Sequence, residues 1–142
     1  MTVIDFIGDI MDKEFEKKIC DAFFDKRCSE RLYYELSSQK KRRDFLDKMC
    51  HTADRYIGDC VYKKFGKLPS REEIAAFLDD ESCYFITPYE KNDGGNYDTS
   101  RTLEEIWSDG SAYMIVNRDC TRAYLETEYS FSGHTAYFLK IH

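Results

Sequence analysis

The sequence predicts an α+β fold in which an N-terminal helical layer packs on a C-terminal antiparallel sheet. Apolar residues recur every three or four positions before about residue 66, which is the period of an amphipathic helix. After about residue 83 they run continuously or alternate, which is typical of strands. We therefore expect three to four helices and three to four strands. With 142 residues, 42% of them hydrophobic, the chain suits a single domain over 1–142, with a helical half 1–78 and a mainly β half 79–142.

Three helices are predicted in the first part of the chain. The first extends to about Asp25, on a stripe formed by Ile4, Ile7, Met11, Phe15, Ile19 and Phe23. Ser29 is expected to cap the second, whose apolar positions are Leu32, Leu36, Leu46 and Cys50. Because Ser37 and Ser38 interrupt that stripe, one irregular helix and two short helices remain alternatives. The third helix is expected from about Thr52 to Phe65, on a stripe of Ala53, Tyr56, Ile57, Cys60, Val61 and Phe65.

A well-marked boundary follows at residues 66–78. Gly66 suits the end of the third helix, Pro69 cannot extend it, and Ser70 with Glu73 has the spacing of a capping box that begins another. Residues 66–75 resemble the opening of helix-turn-helix units in bacterial sigma factors, Gly-x-x-Pro-Ser/Thr-x-x-Glu-Ile-Ala. The resemblance implies a transcription-associated regulator, which requires a second helix after Leu78. The sequence predicts a strand there, so we interpret the match as shared capping chemistry and keep the regulator as an alternative.

The β half is predicted to contain a meander of three strands and a fourth strand before it. The fourth is Cys83–Thr87, and a flexible polar connection from Tyr89 to Arg101 follows it. Thr102 and Glu105 have capping-box spacing, which predicts a short helix ending near Trp107. The meander comprises a buried central strand at Ala112–Val116, a strand at Ala123–Tyr129 with one dry and one wet face, and a last strand at Thr135–Ile141.

The six cysteines indicate a reduced protein without a metal site. They show no Cys-x-x-Cys pair, and the N-terminus has neither a signal-peptide pattern nor a membrane span. We therefore expect a cytoplasmic protein with structural thiols, no cofactor, no metal and no membrane contact. The six are Cys20, Cys28, Cys50, Cys60, Cys83 and Cys120.

The charge is unevenly distributed along the chain. Residues 1–66 carry 14 Lys and Arg against 13 Asp and Glu, whereas residues 67–142 carry 7 against 14. An acidic surface disfavours direct nucleic-acid binding and favours a basic partner. Seven of the eleven tyrosines also lie in the second half, and tyrosine is favoured at protein interfaces. The predicted partner-binding residues are Asp93, Tyr97, Asp98, Glu104, Glu105, Trp107, Glu126 and Glu128.

One strongly basic run, Lys40, Lys41, Arg42 and Arg43, is a secondary candidate site. A solvated helix face and a contact with a phosphate or an acidic partner are both compatible with it.

These patterns favour a non-enzymatic protein-binding module whose acidic, Tyr-rich β half binds a basic protein such as a nuclease. By analogy of size and charge, its type is that of toxin-immunity proteins and small bacterial or phage inhibitors of nuclease defences. The alternative is a small enzyme that uses Glu126, Glu128, Arg122 or His134 for acid-base chemistry. The oligomeric state does not follow from the sequence.

Overall fold

The computed structural model describes residues 12–88, 92–106, 113–127 and 135–141. In these ranges the helices are α1 Lys13–Phe23, α2 Lys26–Ser37, α3 Arg42–Thr52, α4 Arg71–Leu78 and α5 Thr99–Ile106, with a short 3-10 turn at Ala53–Arg55. The strands are β1 Val61–Phe65, β2 Ser82–Ile86, β3 Gly95–Asp98, β4 Tyr113–Asn117, β5 Arg122–Glu126 and β6 Ala136–Lys140. No helix in these ranges is long and apolar enough to cross a membrane.

The strands form one antiparallel sheet in the order β1-β6-β5-β4-β2-β3. Its centre is the pair β4 and β5, in which Ile115 lies opposite Tyr124. The α+β class is therefore confirmed, and β4 is the predicted central strand. The sheet, however, has six strands among the described residues rather than three to four, and the helices are not all N-terminal.

Helices cover both faces of the sheet. One core cluster joins α1, α2 and α3 to Tyr84, Met114 and Leu125, and the other joins α4 and α5 to Phe85, Ile115 and others of opposite parity. Successive residues of a strand point to opposite faces of the sheet. Each set therefore packs against a different group of helices, and both sets are buried. This explains why β5 lacks the predicted wet face: every residue from Ala123 to Glu126 is buried.

The predicted third helix over Thr52–Phe65 is wrong. α3 ends at Thr52, and the chain then crosses the α1–α2 connection before it enters β1. Two backbone hydrogen bonds fix this crossing: Gly58 N–H donates to Phe23 C=O, and Asp25 N–H donates to Tyr56 C=O. Gly66 therefore follows a strand rather than a helix.

The helix boundaries that depend on capping differ from the predicted ones in two places. Ser37 and Ser38 do separate two helices, but the side chain of Asp25, not Ser29, caps the first of them. Asp98, not Thr102, caps α5, because its carboxylate accepts from Arg101 N–H at 2.8 Å. Thr102 lies inside the helix and is buried.

The boundary at residues 66–78 is confirmed at α4. Ser70 accepts from Glu73 N–H, and the Glu73 carboxylate accepts from Ser70 N–H. Asp79 ends the helix in the left-handed region, with φ 49°. The chain then enters β2, so the second helix of a helix-turn-helix unit does not follow Leu78.

Candidate partner-binding surface

An acidic surface covers the α4–α5 side of the molecule. We call it the acidic layer, and its seven carboxylates are all exposed. Only two described cations, Arg71 and Arg101, lie on the same two helices. The acidic layer comprises Glu72, Glu73, Asp79, Glu81, Asp98, Glu104 and Glu105.

Hydrogen bonds hold α4 and α5 in fixed positions. Thr99, the first residue of α5, donates from its N–H to Glu81 C=O and from its Oγ1 to Asp80 C=O, both at 2.8 Å. The Asp80 carboxylate in turn accepts from the backbone and side chain of Arg118, on the β4–β5 turn. Burial would raise the pKa of Asp80, but the hydrogen bonds from Arg118 and Ser82 outweigh it and lower that pKa. These bonds therefore connect the start of α5 and the α4–β2 link to the β4–β5 turn.

A groove of about 470 Å³ separates the two helices. Leu103 is buried and Ala75 is half-buried, whereas Glu72 and Glu104 are exposed. An apolar floor below carboxylates suits a Lys or Arg side chain, whose aliphatic stem packs on carbon while its charged end meets the acids. The groove is lined by Arg71, Glu72, Ala75, Ser100, Leu103 and Glu104.

Four of the sequence-predicted partner-binding residues lie on this side of the sheet. Asp98, Glu104 and Glu105 belong to the acidic layer. Tyr97 is half-buried and packs edge-on against Phe85, with ring centroids 6.0 Å apart. Trp107 and Glu128 lie outside the described residues.

Asp93 lies elsewhere, in a buried ionic cluster with a residue of the basic run. Arg42 donates from Nε and Nη2 to the Asp93 carboxylate at 2.8 and 2.9 Å. It also donates from Nη1 and Nη2 to Glu16 at 3.0 and 2.8 Å, and from Nη1 to Leu36 C=O. Tyr84 completes the cluster by donating its hydroxyl to Glu16 at 2.7 Å. The cluster therefore connects α1, α3, β2 and the approach to β3.

One cation, Arg42, pairs with two carboxylates in this cluster. Burial alone would lower the pKa of Arg42, but its hydrogen bonds to Asp93 and Glu16 raise it well above the usual value. Burial and the Glu16 carboxylate raise the pKa of the Tyr84 hydroxyl, so it stays a donor. Asp93 and Arg42 are thus internal, while Lys40, Lys41 and Arg43 are exposed.

Sequence reasoning missed Glu16, the fully buried member of the cluster. Its signal was positional, because Glu16, Ile19, Cys20 and Phe23 form the buried stripe of α1. A carboxylate on an apolar stripe indicates a buried partner of opposite charge.

Two residues of the predicted acid-base site, Glu126 and Arg122, lie among the described residues, and each contacts a different group. Glu126 is 1% exposed and accepts from the Tyr124 hydroxyl at 2.8 Å, so it is not on a solvated strand face. Burial and this carboxylate raise the pKa of Tyr124 strongly. Arg122 donates to Phe77 C=O at 2.7 Å and lies over the Phe77 ring. Glu128 and His134 fall outside the described residues.

The thiols are spread through both cores. Cys20, Cys28, Cys60, Cys83 and Cys120 are free thiols, and in the described ranges no group of three His, Cys, Asp or Glu residues is placed to hold a metal ion. Burial raises the pKa of Cys60, Cys83 and Cys120 to about 11. These thiols are therefore poor nucleophiles at neutral pH.

Comparison with known proteins adds no family to this description. No family model matches the chain, and neither a curated protein nor a solved structure matches it.

Proposed function

We propose that this chain is a non-enzymatic protein-binding module whose acidic layer binds a basic protein partner. The observation that carries the proposal is the concentration of seven exposed carboxylates on α4, α5 and their connections, two of which, Glu72 and Glu104, line the groove between the helices. Such a field raises the local concentration of cationic ligands and speeds their association.

The hydrogen bonds at the helix ends of the acidic layer support the same conclusion. The ends of α4 and α5 are held by the Ser70–Glu73 capping box, by Asp98 and by Thr99. A surface that does not reorganise on binding loses little conformational entropy.

A nuclease or another nucleic-acid-binding protein is the partner class that we propose. Such proteins present clustered Lys and Arg for phosphate contacts, and a row of fixed carboxylates is complementary to that cluster. The chain would then act as an inhibitor or immunity-type protein of bacterial or phage origin, by occupying the nucleic-acid site of its partner.

Affinity capture from the source cell with three baits tests the proposal. The baits are the wild type, the acidic-layer variant Glu72→Lys, Glu104→Lys and Glu105→Lys, and a control variant Glu14→Lys, Glu30→Lys and Asp44→Lys. The control makes the same charge change at exposed positions on α1, α2 and α3. Neither variant touches the caps at Ser70, Glu73 or Asp98.

We expect mass spectrometry to identify a basic protein that the wild type and the control retain and the acidic-layer variant loses. Equal capture by all three baits, or a captured partner that is acidic, would contradict the proposal.

A further inference from the structure

The outer edge of β1 is a second surface with the chemistry of a binding site. Among the described strands, β1 lies at the end of the sheet and pairs with β6 alone, with a shift of register between Val61 and Lys63. Val61 and Tyr62 are 43% and 63% exposed, and Lys63 and Lys64 are exposed as well. We call this segment, with Lys140 on the neighbouring strand, the β1 edge.

Backbone hydrogen-bonding groups point outward from this edge. Lys140 N–H donates to Cys60 C=O at 2.8 Å, which makes Val61 and Leu139 a non-hydrogen-bonded pair of the ladder. The N–H and C=O of Val61 therefore face away from β6. An extended peptide can pair with such groups and add a seventh strand to the sheet.

The lysines of the β1 edge have no carboxylate partner in the described part of the chain. Each lies over an aromatic ring instead: Lys63 is 4.8 Å from the Phe65 centroid, Lys64 is 5.9 Å from that of Tyr137, and Lys140 is 5.5 Å from that of Tyr62. Contact with a ring does not neutralise an ammonium group, so these three charges remain available to an anionic ligand.

We propose that the β1 edge is a docking strand for an acidic, extended segment of a partner protein. The segment pairs its backbone with the outward groups of β1 and places carboxylates near Lys63, Lys64 and Lys140. Its apolar residues pack on Val61 and Tyr62. The site shares no residue with the acidic layer and does not depend on the function proposed for that layer.

A second copy of this chain is disfavoured as the occupant. Antiparallel pairing of β1 with itself about a two-fold axis would bring the lysines of the two copies close together, which is destabilising. Edge lysines are a common protection against such self-pairing. The carboxylates of an acidic strand would instead be attracted to these lysines.

A nucleic acid is disfavoured by the surroundings of Tyr62. This ring is already stacked on Phe77, at 5.6 Å and 27°, so that face is closed to a base. The chain as a whole also carries a net charge of −6. The outward N–H and C=O groups of the strand, in contrast, match a peptide backbone, which supplies both acceptors and donors.

The test measures binding of the synthetic peptide Glu-Glu-Val-Tyr-Glu-Glu, blocked at both ends, by fluorescence anisotropy; its paired acids reach both faces of the strand, as Lys63 and Lys64 do. The comparison ligands are its Lys-for-Glu counterpart and a ten-residue oligothymidylate. The protein is used as the wild type, as Lys63→Glu with Lys64→Glu, and as the control Lys40→Glu with Lys41→Glu. The control reverses another exposed pair of adjacent lysines.

Of the three ligands, we expect only the acidic peptide to bind. Hydrogen exchange at the Val61 amide should be slower in the complex than in the free protein. The Lys63/Lys64 variant should weaken binding by at least about tenfold, and the control by less than about twofold. Absence of peptide binding, equal loss in both variants, unchanged exchange at Val61, or preference for the oligothymidylate would each overturn the proposal. Circular dichroism of both variants shows whether they are folded.

Discussion

At the scale of single residues, Arg42 decides how the basic run is interpreted. The sequence presents four consecutive cations, and nothing local distinguishes the third of them, Arg42. In the fold, all five N–H groups of Arg42 have an acceptor on Glu16, Asp93 or Leu36. Arg42 is the buried member of the run because it pairs with Glu16 on α1 and with Asp93 before β3, which are 26 and 51 positions away. Such long-range pairings are not visible in a local pattern.

Replacing Arg42 with Ala should destabilise the protein by about 3–5 kcal/mol, because Glu16 and Asp93 would be left buried without their cation. Arg42→Lys should rescue little of this loss, since a single ammonium cannot make two bidentate contacts. Urea unfolding followed by circular dichroism measures both. The exposed neighbour gives the control: Arg43→Ala should change stability by about 0.5 kcal/mol or less. Similar losses for Arg42→Ala and Arg43→Ala would show that the cluster contributes nothing.

The buried thiols should make the protein sensitive to alkali. The folded chain holds the protons of Cys60, Cys83 and Cys120 up to about pH 11, whereas unfolded thiols release theirs near about pH 8.5. The unfolded state therefore binds fewer protons above about pH 8.5, and the free energy of unfolding falls as pH rises from there towards 11. Urea midpoints at pH 7, 8.5 and 10 measure this, and we expect little change between the first two and a clear drop at the third. A midpoint that is constant to pH 10, or rapid labelling of these thiols in the native protein, would contradict it.

At the scale of secondary-structure elements, the sequence predicts what local chemistry determines. α1, α2 and α4 follow from stripes and caps, and β4 follows from an apolar run. β1 was missed because Val61 and Phe65 continue a helix-like stripe, although their partner strand begins at Ala136. β3, Gly95–Asp98, was missed because it has almost no apolar residues, and its pairing with β2 forms it.

The capping box of α4 offers a test at this scale. Ser70→Ala removes the acceptor of Glu73 N–H, and we expect a loss of about 1 kcal/mol. Thermal unfolding measures the loss, and Ser100→Ala, an exposed position inside α5, is the control. A Ser70→Ala protein as stable as this control would mean that the cap does not hold α4 in place.

At the scale of the whole molecule, one sheet links the two halves of the sequence. The layers that hold α1–α3 and α4–α5 share the same strands, since alternate residues of β2, β4, β5 and β6 enter opposite cores. The sequence predicted two layers because its helical and β halves looked separate. The third layer arises because α4 and α5 return to the far face of the sheet, and covering both faces removes the alternation by which a half-buried strand is recognised.

This linkage predicts a single cooperative domain. β1 belongs to residues 1–66 and pairs with β6, so division at residue 66 leaves each half without part of its sheet. We expect one calorimetric transition for the whole chain and no cooperative unfolding for residues 1–66 or 67–142 alone. Two separate transitions, or a half that melts cooperatively, would contradict a single domain.

The candidate surface was partly predictable for a related reason. Charge composition is a local property, and the predicted residues Asp98, Glu104 and Glu105 are exposed acids, while their part in binding stays a prediction. Burial is a property of the fold, and the predicted residues Asp93 and Glu126 are buried rather than at the surface. Glu72, which lines the groove, was not predicted.

The most direct test of the central claim is the association rate of the captured partner with the acidic layer at different salt concentrations. The screening length falls from about 10 Å at 0.1 M salt to about 3 Å at 1 M, so attraction by this layer must weaken as salt rises. We expect the wild type and the Glu14, Glu30 and Asp44 control to associate more slowly with increasing salt. The Glu72, Glu104 and Glu105 variant should associate at least about tenfold more slowly at low salt and respond little to salt. Equal association rates and equal salt dependence for all three proteins would mean that the acidic layer does not recognise the partner.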